Sequence, residues 1–175
     1  MKTNRKIILY IAASIDGYIA RENGDIDWLE KAEGKGDNGY GQFLEGIDTV
    51  LMGKKTYDQV LGFDIPFPYS DKKCYVFSTK SRGRDEYVEF INDDIVSFCQ
   101  KLNQKPGKDI WIVGGGSVLK EFWKHQLIDE IQLAIIPTIL GKGIPLFSTE
   151  AKETSLQLLK TEQFNQITML TYSKI

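Results

Sequence analysis

The sequence predicts a single α/β domain built on a mostly parallel central sheet, with flanking helices and a C-terminal antiparallel hairpin. Strand-like and helix-like runs alternate through about the first 125 residues, which is the pattern of βαβ units. The last 45 or so residues instead hold long alternating strands, two of which meet at the turn sequence FNQI. With 175 residues the chain is long enough for one sizeable core and short for two. We therefore expect residues 1–175 to form one domain.

Eight runs rich in β-branched and aromatic residues are the predicted strands. They are Ile7–Ser14, Thr49–Met52, Lys73–Ser78, Val88–Phe90, Ile110–Val113, Glu130–Ile139, Leu156–Phe164 and Ile167–Ser173. Helical patterns fall between them, at Tyr40–Gly46, Thr56–Leu61, Asp94–Asn103 and Ser117–His125. Asp94 and Ser117 are predicted N-caps, because their side chains can accept a hydrogen bond from a free backbone N–H of the first turn.

Composition and charge argue against several classes of partner. The formal net charge of -2 and a pI near 5.5 disfavour nucleic acid or a membrane surface. The longest apolar stretches fall well short of the roughly 18 residues that a membrane span needs. Cys74 and Cys99 lack metal-ligand spacing, and His125 is the sole histidine. We expect a reduced, cytoplasmic protein with no metal site.

Three consecutive glycines, Gly114 to Gly116, lie where a predicted strand passes into a predicted helix. Such a junction presents free N–H groups and the positive end of a helix dipole, which favour an anion. Glycine also lets a phosphate or a planar ring approach the backbone without meeting a Cβ atom. The alternative is a tight turn with close helix packing. The stretch departs from the GxGxxG dinucleotide pattern, because Leu119 stands where a third spaced glycine is required.

A second junction of the same kind lies in TVLMGKKTYDQV. Gly53 follows a strand, Lys54 and Lys55 come next, and Thr56 opens a helix. The segment is not a Walker A loop, because GKK replaces GK[ST] and no glycine precedes it at the required spacing, so a nucleoside triphosphatase is not expected. Two helices that each begin at a glycine, after strands of the same sheet, could instead bind two parts of one dinucleotide.

The segment VFSTKSRGR follows another predicted strand and combines hydroxyl groups with cations. Ser78, Thr79 and Lys80, with Arg82 and Arg84 beyond them, suit a further phosphate such as the one on the ribose of NADP. The alternative is a solvated basic loop with no ligand.

Several motifs, taken in order, resemble those of dihydrofolate reductases. They are ILYIAASIDGYIARENGDIDW at the N-terminus, LMGKKTY, CYVFST and IWIVGGGSVLKEF. The variants SIDGYIA and LIDEIQLAIIPTILGKGIPLF are more similar to the reductase domain of riboflavin biosynthesis, which is the dihydrofolate reductase-like branch. The match covers nearly the whole chain, and the order of the motifs makes it specific.

The resemblance implies an NADPH site. The residues that would contact the cofactor are Ala13, Ile19, Gly53, Lys54, Lys55, Thr56, Ser78, Thr79, Lys80, Gly114, Gly115, Gly116, Ser117 and Val118. The Gly53 segment would hold the pyrophosphate and, with Lys55, the 2′-phosphate. Ala13, Ser14 and Ile19 would border the nicotinamide. Substrate contacts are implied for Ser14, Trp28 and Phe43. Dihydrofolate reductases also have a cis bond between the first two glycines of the triplet, so we expect one between Gly114 and Gly115.

Two acids are candidates for the proton donor that hydride transfer requires. An acid near the start of the helix before the MG motif serves in dihydrofolate reductases, and Asp37, 16 residues before Gly53, fits that spacing. Its alternative role is a helix-start or turn residue. Asp16 follows the first strand, where burial near the substrate would raise its pKa and favour proton donation. The alternative is a turn aspartate before Gly17.

The implied function is an NADPH-dependent reductase acting on a pterin- or aminopyrimidine-type small molecule. Folate fits poorly, because the segment between Trp28 and Asp37 is longer than in dihydrofolate reductases and no counterpart of their folate-binding arginine is found. The riboflavin-pathway reductases act on a ribosylaminopyrimidine phosphate, normally alongside a deaminase domain. This chain has no deaminase zinc motif, so we expect a stand-alone reductase.

A homodimer is also expected, since the riboflavin-pathway branch pairs through its sheet and C-terminal strands. The apolar run IQLAIIPTIL suits an interfacial strand, and equally a central one. Three rival functions stay open: a non-catalytic NADP(H)-binding or sensing protein, a true dihydrofolate reductase, and a phosphate-binding module that uses only the Gly53 helix.

Overall fold

A computed structural model describes residues 5–175, which form eleven strands and four α-helices. The strands are β1 (Ile7–Ser14), β2 (Tyr18–Ala20), β3 (Ile47–Gly53), β4 (Lys73–Phe77), β5 (Gly83–Arg84), β6 (Val88–Ile91), β7 (Asp109–Gly114), β8 (Glu130–Ile136), β9 (Ile144–Pro145), β10 (Leu156–Phe164) and β11 (Ile167–Lys174). The helices are α1 (Tyr40–Glu45), α2 (Lys54–Leu61), α3 (Ile95–Asn103) and α4 (Gly116–Lys124), and a 3-10 turn covers Asp27–Lys31. Within these residues no helix has the length and apolar character needed to cross a bilayer.

Nine of the strands form one sheet in the order β10-β11-β8-β1-β7-β3-β4-β6-β5. The six strands from β8 to β6 in that order run parallel, and β11, β10 and β5 extend the sheet with antiparallel pairs. The short strands β2 and β9 pair separately as an antiparallel ribbon. The predicted α/β class, with its mostly parallel sheet and C-terminal hairpin, is confirmed.

Most predicted element ends lie within two residues of the observed ones, and β8 is an exception with a clear cause. The expected strand ran to Ile139, but β8 ends at Ile136 because Pro137 has no N–H with which to continue the ladder. The Thr138 N–H instead turns back to the carbonyl of Ile136 at 2.7 Å. The chain then leaves the sheet, and the Ile139 side chain is 74% exposed.

One of the two predicted helix caps is confirmed and the other is wrong. The Asp94 side chain accepts a hydrogen bond from the Ser97 N–H at 2.8 Å and caps α3. Ser117 caps nothing, because α4 already begins at Gly116 and its N-cap position is occupied by Gly115. The start of α4 therefore has no side-chain cap.

Helices cover both faces of the sheet, and the two that follow β3 and β7 lie on opposite faces. Helices α3 and α4 bury residues such as Cys99 and Phe122 against β1 and β7. Helices α1 and α2 bury residues such as Phe43 and Tyr57 on the other face, beside Trp111. A fully buried side chain of this size stabilises the fold by about 1.5–3 kcal/mol. Because β3 and β7 are neighbours, their helices diverge from one point at the carboxyl edge of the sheet, where α/β proteins bind ligands.

Both cysteines are buried and free of disulfides within the described residues. Burial raises the pKa of the Cys74 thiol and of the Cys99 thiol to about 12. The thiols are therefore protonated at neutral pH and act as small apolar core groups.

The C-terminal hairpin also holds the long segment that precedes α1. The hairpin turns at Asn165, which takes a φ of +55°. The Asn165 amide donates to the carbonyl of Gly34 at 2.7 Å, and the Gln166 N–H donates to the carbonyl of Glu33 at 3.1 Å. The segment from Arg21 to Gly39 is thus tied to the opposite end of the chain.

Candidate functional site

The two glycine junctions meet at the carboxyl edge of the sheet. Strands β3 and β7 are parallel neighbours, with Met52 beside Gly114 in their register. A Cβ atom on Gly115 would lie 3.0 Å from the Thr56 Oγ1 atom and 3.5 Å from the Gly53 Cα atom. A Cβ on Gly53 would lie 3.0 Å from a methyl group of Val118. Glycine at both positions is therefore what allows the two junctions to touch.

The backbone at the triplet differs from the expectation in one respect. No peptide bond among residues 5–175 is cis, so the expected cis bond between Gly114 and Gly115 is wrong. The chain turns from strand to helix through positive φ angles instead, +143° at Gly114 and +105° at Gly115. Residues with a side chain rarely adopt these angles, which gives a second reason for glycine here.

The first turns of α2 and α4 present backbone N–H groups at this edge. Gly53 and Gly115 occupy their N-cap positions, and neither helix has a side-chain cap. The first N–H groups of a helix have no partner within the helix, and the helix dipole makes that end electropositive. Two uncapped helix starts in contact form a suitable cradle for phosphate groups.

A cavity of about 570 Å³ opens beside the two helix starts. Its lining includes half of the predicted cofactor residues, namely Lys54, Lys55, Ser78, Thr79, Lys80, Ser117 and Val118. The residues that the sequence reasoning missed are Phe77, Ser81, Ile91, Asn92, Asp93 and Ile95. They come from the ends of β4 and β6, whose pairing brings Phe77 beside Ile91, and from the start of α3. The signal for them is that the parallel strands β4 and β6 end at the same edge of the sheet.

The charge on the cavity wall is mainly positive. Lys54 is paired with Asp58 one helical turn on. Lys55 and Lys80 have no ion pair within the part of the chain that the structure describes, and Asp93 is the acidic residue of the lining. Two free ammonium groups beside two helix starts favour an anionic ligand with more than one phosphate.

The residues predicted to border a nicotinamide lie apart from this cavity lining. Ala13 is 1% exposed, and Ile19 packs against the same core cluster on the α3/α4 face. Ile19 belongs to β2, which pairs with β9, and a Cβ on Gly116 would be 3.0 Å from a methyl group of Ile144 in β9. The start of α4 therefore lies between the cavity and the ribbon of β2 and β9.

Asp16 is exposed, and the expectation that burial would raise its pKa is wrong. Its carboxylate accepts hydrogen bonds from the Ser14 hydroxyl at 2.6 Å and from the N–H groups of Leu140 and Gly141 at 3.0 and 2.7 Å. The Ser14 bond is the main cause that lowers the pKa of Asp16, and the two N–H groups add to it. Ser14 is buried and also accepts from the Tyr18 N–H at 2.9 Å. Ser14 and Asp16 thus join the end of β1 to the segment after β8.

Asp37 lies at the start of α1 and is also exposed. Its carboxylate accepts from the N–H groups of Gly41 at 2.8 Å and Gly39 at 3.0 Å. The Gly41 bond, followed by the Gly39 bond, lowers the pKa of Asp37. This is the geometry of the helix-start alternative, and the proposed proton-donor role stays a prediction.

Trp28 and Phe43, predicted substrate contacts, are buried on the α1/α2 face. Trp28 is 1% exposed and packs against residues of β8 and β11, and its Nε1 has no hydrogen-bond partner within the described residues. Phe43 stacks on Tyr10 with ring centroids 4.2 Å apart. A buried indole N–H without a partner is energetically costly, and Trp28 is the one of the two residues that carries such a polar group.

The chain belongs to the RibD C-terminal domain family, whose sequence profile matches residues 5–170. It is 47% identical over 169 residues to the Bacillus subtilis protein YwjB, a match that covers 96% of this chain and 97% of that protein.

Two solved structures share the fold. A putative riboflavin biosynthesis protein from Shewanella sp. PV-4 is 33% identical, with a TM-score of 0.87 over 97% of this chain and 99% of that one. A diaminohydroxyphosphoribosylaminopyrimidine deaminase/5-amino-6-(5-phosphoribosylamino)uracil reductase from Thermotoga maritima is 18% identical, with a TM-score of 0.73. That match covers 99% of this chain and 58% of the longer one, and at this identity it shows the fold alone.

The hydrogen bonds of Asp16 predict a pH-dependent contribution to stability. Because the folded protein lowers the pKa of Asp16 below its ordinary value of 3.8, the stabilisation is present above pH 3.8 and is lost as the pH falls through the lowered pKa. Asp16→Asn should lower the melting temperature at pH 7 by a few degrees, and the difference from wild type should shrink on acidification. Thermal melts followed by circular dichroism across this range measure it. Glu153→Gln, at an exposed acid before β10, is the control. Equal melting temperatures of the two variants at pH 7 would contradict a stabilising role for the Asp16 hydrogen bonds.

Proposed function

We propose that this protein is a cytoplasmic NADPH-dependent reductase of the riboflavin-pathway type, acting on a pterin- or aminopyrimidine-type small molecule. The observation that carries the proposal is the contact of Gly53 with Gly115 beside a cavity that presents Lys55 and Lys80 without ion-pair partners among the described residues. Membership of the RibD C-terminal domain family supports it.

The residues at this edge fit the phosphates of NADPH. The starts of α2 and α4, at Gly53–Thr56 and Gly114–Val118, would hold the pyrophosphate with backbone N–H groups. Lys55, with the Ser78–Lys80 turn, would hold the 2′-phosphate with ammonium and hydroxyl groups. The fit rests on the donor groups present: two uncapped helix starts brought into contact by Gly53 and Gly115, with ammonium and hydroxyl groups on the adjoining cavity wall.

The chemistry divides between cofactor and protein. NADPH, when bound, supplies a hydride to an electrophilic carbon. The chain supplies placement: Ala13, Ser14 and Ile19 would border the nicotinamide, and Trp28 would lie on the substrate side. Placement of two rings in contact, with water excluded, accounts for most of what such a site must provide.

One observation favours a second candidate, a non-catalytic NADP(H)-binding or sensing protein. Both candidate proton donors, Asp16 and Asp37, are exposed, and hydrogen bonds lower the pKa of each carboxyl. A carboxyl that is ionised at neutral pH is a weak proton donor. The two candidates share the cofactor site and differ in turnover.

The proposed cofactor predicts a clear preference for NADPH over NADH. Lys55→Ala and Lys80→Ala should each weaken NADPH binding about 10- to 150-fold, since a charge-assisted hydrogen bond contributes roughly 1.5–3 kcal/mol, and should leave NADH binding nearly unchanged. Isothermal titration calorimetry of the wild type and variants gives the constants. Lys152→Ala, at an exposed lysine before β10, is the control. Equal affinity of the wild type for both nucleotides would contradict the assignment of these lysines.

The proton-donor proposal predicts a loss of turnover without a loss of binding. Asp37→Asn should lower the rate of NADPH oxidation about 100-fold with pterin and aminopyrimidine acceptors, while the affinity for NADPH changes less than twofold. The wild-type rate should rise as the pH falls, because the acid form of a carboxyl whose pKa is lowered from 3.8 is scarce at pH 7. If Asp37→Asn oxidised NADPH as fast as the control Glu153→Gln, Asp37 would not be the proton donor.

We also propose that the protein is a homodimer that pairs through β8, β11 and β10. Leu158 is 53% exposed and faces Tyr172 across the hairpin, and the paired residues Leu133 and Leu170 are only half-buried on the same face. Exposed and half-buried apolar side chains that adjoin one another on a sheet face are typical of an interaction surface. Leu158→Glu should convert the dimer to a monomer in light scattering, and Ile65→Glu, at an exposed loop residue, should not. A wild-type monomer would contradict this proposal.

A further inference from the structure

The turn between β4 and β5 that lines the cavity is built by Ser78. The Ser78 hydroxyl accepts hydrogen bonds from the N–H groups of Lys80 at 3.2 Å and Ser81 at 2.9 Å. The Ser78 N–H donates to the carbonyl of Ile91 at the end of β6, at 3.0 Å. The path of Thr79 and Lys80 is therefore set by bonds at the ends of the turn.

A single side chain from the neighbouring strand closes this turn. Asn92 follows β6 directly, as Ser78 follows β4, and the two strands are parallel. The Nδ2 group of Asn92 donates to the carbonyl of Ser78 at 2.6 Å and to the carbonyl of Ser81 at 2.8 Å. One amide thus holds both ends of the turn, with Thr79 and Lys80 between them.

Few residues can make both bonds from this position. The amide of Asn offers two N–H donors in one plane, whereas Ser offers one and Asp, which is isosteric, offers none when ionised. An ionised Asp would also face two carbonyl oxygens with a negative charge. Asn92 lies on the cavity wall beside Lys80, but its donor group is occupied by the turn.

We propose that Asn92 is the positioning residue that sets the preference for a 2′-phosphate, by holding the turn that carries Thr79 and Lys80. This inference rests on the proposed NADPH function. It assigns no ligand contact to the Asn92 amide and concerns only the part of the cofactor that distinguishes NADPH from NADH. Without the two bonds, Lys80 keeps its charge and loses its fixed place on the wall.

The test is the ratio of two affinities. Asn92→Ala should weaken NADPH binding about tenfold and change NADH binding less than twofold, as measured by calorimetry. A general loss of structure would weaken the binding of both nucleotides equally. The ratio of the two affinities therefore distinguishes a change in the position of Lys80 from a loss of folded protein. If Asn92→Ala folds poorly, Asn92→Ser can be measured instead. It keeps one donor and should give a ratio between those of the wild type and the alanine variant. The control is Asn165→Gly, at an amide that also bonds a backbone carbonyl, at the opposite end of the sheet order.

A double variant tests whether Asn92 acts through Lys80. In a Lys80→Ala background, Asn92→Ala should weaken NADPH binding less than it does in the wild type, because one of the two positioned side chains, the charged one, is already absent. Additive losses would overturn the inference, as would an unchanged NADPH to NADH ratio in Asn92→Ala. Failure of the wild type to bind either nucleotide is a separate result, because it would overturn the proposed function before any variant is compared.

Discussion

The close approach of two backbone turns, at Gly53 and Gly115, is the constraint on which the rest of the site depends. A methyl group at either position would meet another atom at 3.0 Å, which few real contacts reach. The contact exists because β3 and β7 are adjacent and parallel, so their carboxyl ends coincide. Because α2 and α4 then leave on opposite faces, the first turns of both helices remain open at the edge. Their uncapped N–H groups and the cavity beside them follow from this one piece of topology.

The lysine and hydroxyl side chains around the cavity provide charged and polar groups that the helix starts lack. Backbone N–H groups recognise any phosphate, so they do not separate one nucleotide from another. Discrimination requires groups placed at one particular oxygen, and the turn after β4 presents them from outside the two glycine junctions. In the proposed NADPH site, affinity and selectivity would therefore come from different elements of the fold. The first is tied to the core strands β3 and β7, and the second lies near the edge, where β4 and β6 end.

Much of the fold and part of the site could be predicted from the sequence. Strand β1 has its predicted ends, and Asp94 is the expected cap, because both depend on neighbours within a few residues. The glycine junctions are predictable for the same local reason. The exposure of Asp16 is not, because its partners, Leu140 and Gly141, lie more than 120 positions away and hold it at the surface. The contacts of Asn92 depend on the pairing of β4 with β6, and Ser117 is not the cap because Gly115 takes the cap position.

The bonds from the C-terminal hairpin to Glu33 and Gly34 have a consequence for the evolution of the family. The Asn165 amide reaches a carbonyl 131 positions earlier in the chain, in the segment that carries Trp28 and leads to Asp37. The length of the hairpin and the length of that segment are therefore not independent variables. An insertion in one shifts the position of the other, so the two lengths are expected to change together among relatives. The C-terminal hairpin therefore helps to fix the position of the segment from Arg21 to Gly39.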